Sequence, residues 1–256
     1  MNLEKKTILI TGGTSGIGLE LAKQLLLKSN TVIVTGRDPV KLDEAKRSLP
    51  EVHAFTSDVS DPHSIDELFE AVTSRFPELD VLINNAGIMR NLDLNQDRDP
   101  MDLTREIETN LCGPVRMVQK FLPHLKARKD ALIVNVSSGL AFVPSPASPV
   151  YCATKAALHS YTQSLRVQLD GSGVTVIELA PPAVDTPLLR DVAGKNMKSM
   201  NAMDVAALAR KTIRSIESGC LEITPGLSGI LKTMSRIAPG FMLKQLTKIG
   251  MPTISN

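Results

Sequence analysis

Short apolar runs recur along this chain, separated by segments whose apolar residues return every three or four positions. The runs Thr7–Thr11, Thr31–Thr35, Val52–Phe55, Val81–Asn84, Ala131–Ser137, Val174–Leu179 and Leu221–Thr224 read as buried strands. Between them Leu19, Leu21, Ala22, Leu25 and Leu26 form one helical stripe. Ile65, Leu68, Phe69 and Val72 form a second, and Val115, Val118, Leu122 and Leu125 a third. This alternation predicts an α/β fold: a single doubly wound domain over residues 1–256, with a seven-stranded parallel sheet covered by helices on both faces. Sheets of this kind bind ligands beyond the carboxyl ends of their strands, so the chemistry is expected in the loops that follow strands.

Composition narrows the field. The 256 residues carry 29 Lys and Arg against 27 Asp and Glu, a net charge of +2, which leaves no basic footprint for nucleic acid. Cys112, Cys152 and Cys220 lie far apart without a C-x-x-C, so neither a disulfide framework nor a zinc site is expected, and a reducing, cytoplasmic setting fits. His53, His63, His124 and His159 have no metal-ligand spacing, and no metal is expected. The first apolar run, Ile8–Ile10, is too short for a secretion signal or a membrane span.

The loop after the first strand reads Gly12-Gly13-Thr14-Ser15-Gly16-Ile17-Gly18. Glycine permits the tight turn at Gly12, close backbone approach to a pyrophosphate at Gly16, and close helix packing at Gly18. The helix that follows presents free N–H groups and a positive dipole end to phosphates. A strand–glycine loop–helix at this place is a dinucleotide site; elsewhere it would be an ordinary loop. The second strand ends at Gly36, where an acid would grip the ribose in an NAD site, and Arg37 follows. Arg37 suits a ribose 2′-phosphate, which favours NADP (NADPH) over NAD. Asp38, before Pro39, is read as a helix cap. Asp58 and Val59 follow the third strand, and Asp58 can accept from an adenine amino group or serve a turn. Asn84-Asn85-Ala86-Gly87 follow the fourth strand; the small residues admit a ribose, and the asparagines can tie strand ends together.

Tyr151 and Lys155 stand four apart, one turn of a helix. A phenol of ordinary pKa about 10 is a poor acid at neutral pH, and a nearby ammonium is expected to stabilise the phenolate and lower that value. Such a pair is common on helix surfaces, so it gains meaning only from its company. Ser138, at the end of an apolar strand, can turn a hydroxyl into a cleft.

In order, TGGTSGIG, NNAG, Asn110, VNVSS and YCATK resemble the short-chain dehydrogenase/reductase family, from about Lys6 to about Gly226, and within it the DltE-like bacterial oxidoreductases. The resemblance implies a Rossmann-type domain in which Tyr151 is the general acid/base. Lys155 lowers its pKa and binds the nicotinamide ribose, Ser138 polarises the substrate carbonyl, and Asn110 holds a water in a relay. It also implies that Pro181, Val184 and Thr186 border the nicotinamide, Val184 through its backbone. Pro182 departs from the pattern, standing where Gly is usual and removing an N–H. The cofactor supplies the hydride and the protein a proton and orientation. Homodimers or homotetramers formed through the helices around 110–125 and 151–169 are the family expectation.

The same resemblance places Met89, Leu92, Leu140, Phe142, Val143, Pro146, Leu188 and Leu189 toward the substrate, which therefore reads as an apolar small molecule bound by Ser138, Tyr151, Leu140, Phe142, Val143 and Leu188. Past Gly226 an amphipathic extension, 227–256, carries Lys232, Arg236, Lys244 and Lys248 among apolar residues up to Ile249, broken at Pro239-Gly240. With four basic residues, covering the cleft or contacting a subunit is favoured over touching a membrane. The rival function is a catalytically idle dinucleotide-binding sensor or scaffold. The complete set Asn110, Ser138, Tyr151 and Lys155 argues against it.

Overall fold

The computed structural model describes residues 2–194 and 201–250, except for the side chains of 248–250. Lys248 and Ile249, named above as tail side chains, therefore fall outside the described ones. Seven strands form one parallel sheet: β1 (Thr7–Thr11), β2 (Thr31–Gly36), β3 (His53–Thr56), β4 (Leu79–Asn84), β5 (Ala131–Val136), β6 (Val174–Leu179) and β7 (Glu222–Ile223). Their order is β3-β2-β1-β4-β5-β6-β7. The reversal lies between β1 and β4, so the loops leaving those two strands diverge and open a crevice at their carboxyl ends.

Alternate strand residues feed two apolar layers. Ile8, Ile10, Val32, Val34, Val81, Ile83, Leu132 and Val134 face one side, where helices α1 (Gly16–Leu26) and α9 (Val205–Glu217) add Leu21, Leu25, Leu208 and Ile213. Leu9, Ile33, Leu82 and Ile133 face the other. There α3 (Pro62–Arg75), α6 (Gly113–Lys126) and α7 (Pro149–Gln168) contribute Ile65, Val72, Met117, Phe121 and Leu165. Burial on both faces is what the near-continuous apolar runs encode. Asp38 caps α2 (Pro39–Ser48) by accepting from Val40 N at 2.9 Å, and Asp61 caps α3 by accepting from His63 N at 3.0 Å.

Three features differ from the expectations. The seventh strand shortens to two residues, since only Glu222 and Ile223 keep register with β6 at the sheet edge. The fourth starts two residues earlier, at Leu79, through pairing with Thr7. The segment before α6 breaks into α4 (Pro100–Leu103), α5 (Arg105–Ile107) and a π-helical turn over Glu108–Cys112 that contains Asn110. Beyond these, α8 (Pro187–Ala193) follows the sixth strand's loop, and the extension forms α10 (Leu227–Ile237) and α11 (Pro239–Gly250), divided at the expected break. The inner face of α10 packs Ser228 and Leu231 on Gly139, in the loop that follows β5, while Leu227, Ile230 and Ile237 stay exposed. Among the described residues no helix is long and apolar enough to cross a membrane.

Candidate active site

A cleft of about 340 Å³ lies over the carboxyl ends of the strands. The loop after β1 forms its floor. Gly12 has φ +64°, and a Cβ there would come 2.7 Å from Ala86 Cα; at Gly18 a Cβ would lie 2.4 Å from the Gly12 carbonyl oxygen. Either substitution collides with backbone, so the loop can form only with glycine at both places. Asn85 fastens it from across the sheet: its amide donates to the carbonyls of Thr11 (3.0 Å) and Gly12 (2.9 Å). The Thr11 hydroxyl in turn accepts from Asn85 N and Ala86 N. Asn84 donates to Asn135 at 2.9 Å, and Asn135 to Thr162 at 3.0 Å, which ties β4, β5 and α7 together in the buried interior.

Thr14, Ser15, Gly16 and Ile17 line the cleft together with Arg37, Asp58, Val59, Asn85, Ala86 and Gly87. Ser15 precedes α1 without spending its side chain on the first-turn N–H groups. Those donors, held by a glycine cradle that admits no Cβ, fit a pyrophosphate. Asp58 does serve the turn, its Oδ1 accepting from the amide and hydroxyl of Ser60 at 2.9 and 2.7 Å, yet it remains on the cleft wall. Arg37 is exposed at the rim, and among the described residues its guanidinium has no ion pair. Lys41, one turn into α2, reaches the same rim. The sequence reading missed it, although a second cation four residues after Arg37 was the available signal.

At the other end, Tyr151 and Lys155 rise from the first turns of α7 and are 7 % and 3 % exposed. Lys155 Nζ donates to the Val136 carbonyl at 2.8 Å and lies 5.6 Å from the centre of the Tyr151 ring. Burial pushes the Tyr151 phenol up to about 12, and a hydrogen bond with Ser138 works against that rise. Burial also brings the Lys155 ammonium down to about 8, opposed by the Glu178 carboxylate. The net shift at Tyr151 is therefore upward, not the lowering expected from Lys155, because desolvation outweighs the other influences. The ammonium sits beside the ring, and desolvation dominates both residues.

Asn110 is fully buried in the π-helical turn. Its Oδ1 accepts from Ile88 N and its Nδ2 donates to Ile88 O, both at 2.8 Å, with a further bond to Thr154 at 3.2 Å. A Cβ on Gly87 would come 3.3 Å from Asn110 Oδ1 and 3.6 Å from Lys155 Nζ, so these groups share one small space. Ser138 caps the 3₁₀ turn Gly139–Ala141, accepting from Leu140 N.

The remaining candidates divide. Pro181, Thr186 and Leu188 line the cleft. Gly18 lies beneath it, and Val184 is buried in the core with its segment paired to Met203. Val143 is 2 % exposed, and Phe142 stands edge-on to His159 at 5.1 Å, so both pack against the protein rather than the cleft. Pro182 is half-buried outside the cleft wall. The sequence reading passed over Glu178, whose signal was a charge inside an apolar strand. An open hollow of about 600 Å³ at the amino ends of the strands, bordered by Asp130 and Arg166, gathers no comparable set.

Comparison with known proteins bears on this cleft. Residues 6–196 match the family model for short chain dehydrogenases. An uncharacterized oxidoreductase, DltE, of Bacillus subtilis is 43% identical over 88% of this chain and 89% of its own. A short chain dehydrogenase from Burkholderia cenocepacia, solved in complex with NADP, superposes with a TM-score of 0.83 at 25% identity, covering 96% of this chain and 99% of that one. A 3-ketoacyl-(acyl-carrier-protein) reductase from Brucella melitensis, complexed with NADH, gives a TM-score of 0.77 at 29% identity over 84% of this chain and 91% of its own.

Proposed function

The chain belongs to the short-chain dehydrogenase family of oxidoreductases, and from that premise we propose that it interconverts a carbonyl and a secondary alcohol on an apolar small molecule, with NADPH as the preferred cofactor. The observation that carries this reading is the burial of Tyr151 and Lys155 side by side at the end of a glycine-floored cleft. An idle scaffold would have no need to bury an ammonium and a phenol at that cost.

In this reading the loop Gly12–Gly18 and the start of α1 hold the pyrophosphate, Arg37 with Lys41 meets the ribose 2′-phosphate, and Pro181 and Thr186 border the nicotinamide. The bound cofactor supplies or accepts the hydride. Ser138 donates a hydrogen bond to the substrate oxygen and holds it within reach of Tyr151. Tyr151, protonated at neutral pH, delivers its phenolic proton to that oxygen as negative charge develops. Lys155 stabilises the phenolate left behind. Asn110 has committed its side chain to Ile88, so its contribution to proton traffic passes through the backbone of the π-helical turn. Leu188 at the mouth favours an apolar substrate. We extend the proposal to a homodimer or homotetramer formed through α6 and α7.

Stopped-flow turnover with NADPH and a panel of apolar ketones and aldehydes tests the reading. Carbonyl-dependent NADPH oxidation that disappears in Tyr151→Phe is the expected result. Tight cofactor binding without turnover across the panel would return the idle scaffold.

A further inference from the structure

We propose that Glu178 is a positioning residue for Lys155: its buried carboxylate, strung between Ser137 and His159, supplies the counter-charge that keeps the lysine an ammonium beside Tyr151. The inference rests on the proposed pairing of Tyr151 with Lys155.

Glu178 stands next to last in β6, between Ile177 and Leu179, and its side chain is fully buried. A carboxylate in such a place is costly unless several groups hold it. Here the Ser137 hydroxyl donates to one oxygen, and His159 Nδ1 lies 2.7 Å from the other. A neutral imidazole makes this second bond by donating its Nδ1 hydrogen, and it then leaves the charge of the carboxylate in place. Phe142 stands edge-on to the imidazole.

The same network reaches the lysine from two directions. Ser137 follows Val136, whose carbonyl accepts from Lys155 Nζ, so fixing Ser137 fixes the lysine's acceptor. Lys155 and His159 are one turn apart on α7, so the helix presents both to this side of β5 and β6. Among the described residues no carboxylate pairs directly with Lys155. The Tyr151 ring of the same helix is centred 5.6 Å from the lysine's Nζ, and Glu178 of β6 is tied to Ser137, the residue after the lysine's acceptor Val136. Glu178 also faces Glu222 of β7, since ligand atoms of His159, Glu178 and Glu222 lie within 4.8 Å of one another. Glu222 is already engaged by Lys232 of α10, which leaves Glu178 as the carboxylate available to α7. Consistent with this, the Glu178 carboxylate pulls the lysine toward its charged form, against burial.

Glu178→Gln keeps the shape while removing the charge; its amide still accepts at one end and donates at the other, so either Ser137 or His159 turns from donor to acceptor. Competitive acetylation with acetic anhydride across a pH series, read on the Lys155 peptide by mass spectrometry, needs neither substrate nor cofactor. The midpoint is expected to fall by about one pH unit from about 8, so that acetylation of Lys155 at pH 7 rises roughly fivefold. Glu178→Asp, which keeps the charge, should return the curve toward wild type. A Glu178→Gln curve that superimposes on the wild-type one would overturn the proposal and leave Glu178 a buried structural acid.

Should the Gln variant fail to fold, a second neutral variant decides. In Glu178→Met, which fills a similar space without charge, the Lys155 labelling midpoint should fall likewise. An unmoved midpoint there would equally overturn the proposal. Turnover separates this proposal from the one it rests on: in an active enzyme the alkaline limb of the Gln variant moves to lower pH with the labelling midpoint. A protein inactive on every carbonyl would sink the oxidoreductase reading, while the labelling curve still judged Glu178.

Discussion

The two ends of the cleft solve their problems in opposite ways. At the end formed by α7, Tyr151, Lys155 and Asn110 are buried, and a hydrogen bond to Ser138, Val136 or Ile88 fixes each of them. At the other end Arg37 is exposed on the rim, without an ion pair among the described residues, and Lys41 lines the same cleft. Burial makes each neighbouring charge count, because the local dielectric is low and water does not screen it. Loss of water is also why both Tyr151 and Lys155 depart far from their ordinary proton affinities, each toward its neutral form. Exposure has the reverse effect: solvent screens a rim arginine, which gains specificity only from the geometry of the anion it meets. One end is tuned by the protein and the other is left available to a ligand.

Experiments can break this contrast, beginning with the buried end. Tyr151→Phe should lower kcat by about a thousandfold or more, with cofactor affinity by fluorescence titration nearly unchanged. Retained turnover would remove Tyr151 from the chemistry. Gly18→Ala belongs between the two ends, because its Cβ would meet the backbone of Gly12. Binding of NADPH and NADH should both fall by about a hundredfold or more, with a stability loss of about 2–3 kcal/mol read from denaturant unfolding. Cofactor binding at wild-type strength would mean that the loop can shift.

Arg37→Ala probes the open end. NADPH affinity should drop about 10–100-fold, the range for a lost charge-assisted contact, while NADH changes little. Equal losses would end the 2′-phosphate reading. The pH profile sharpens the contrast further. Lys155 is charged below about 8 and neutral above it, so turnover in the reducing direction should decline as pH rises through that value. A flat profile to pH 9 would show that the charge of Lys155 is not needed. Pro182→Gly should have the smallest effect, within about twofold on either cofactor, since Pro182 lies off the cleft wall.

Much of the fold was legible in the sequence, for a physical reason. Parallel strands buried on both faces must be apolar throughout, and their helices must carry one apolar stripe, so strand positions and helix faces are encoded locally. The seven expected strands are all present, with ends moved by a residue or two where pairing rather than side-chain character sets the limit. The glycine loop was legible because clashes at Gly12 and Gly18 are backbone events that only one residue type avoids. Asp38 was legible as a cap because an acid before proline has few other uses.

The chain itself therefore determined the sheet, the phosphate-facing turn, the Tyr151–Lys155 pair and the cation at Arg37. Only the tertiary structure decided what surrounds them. It placed Asn110 in a π-helical turn bound to Ile88, turned Val143 and Phe142 into packing, and brought Lys41 to the rim. It also joined Glu178 to Ser137 and His159, and it made burial rather than the neighbouring ammonium the main influence on Tyr151. Proton affinity depends on the distances and solvent exclusion among groups far apart in sequence, such as Ser137, His159 and Glu178, and no local pattern records those distances.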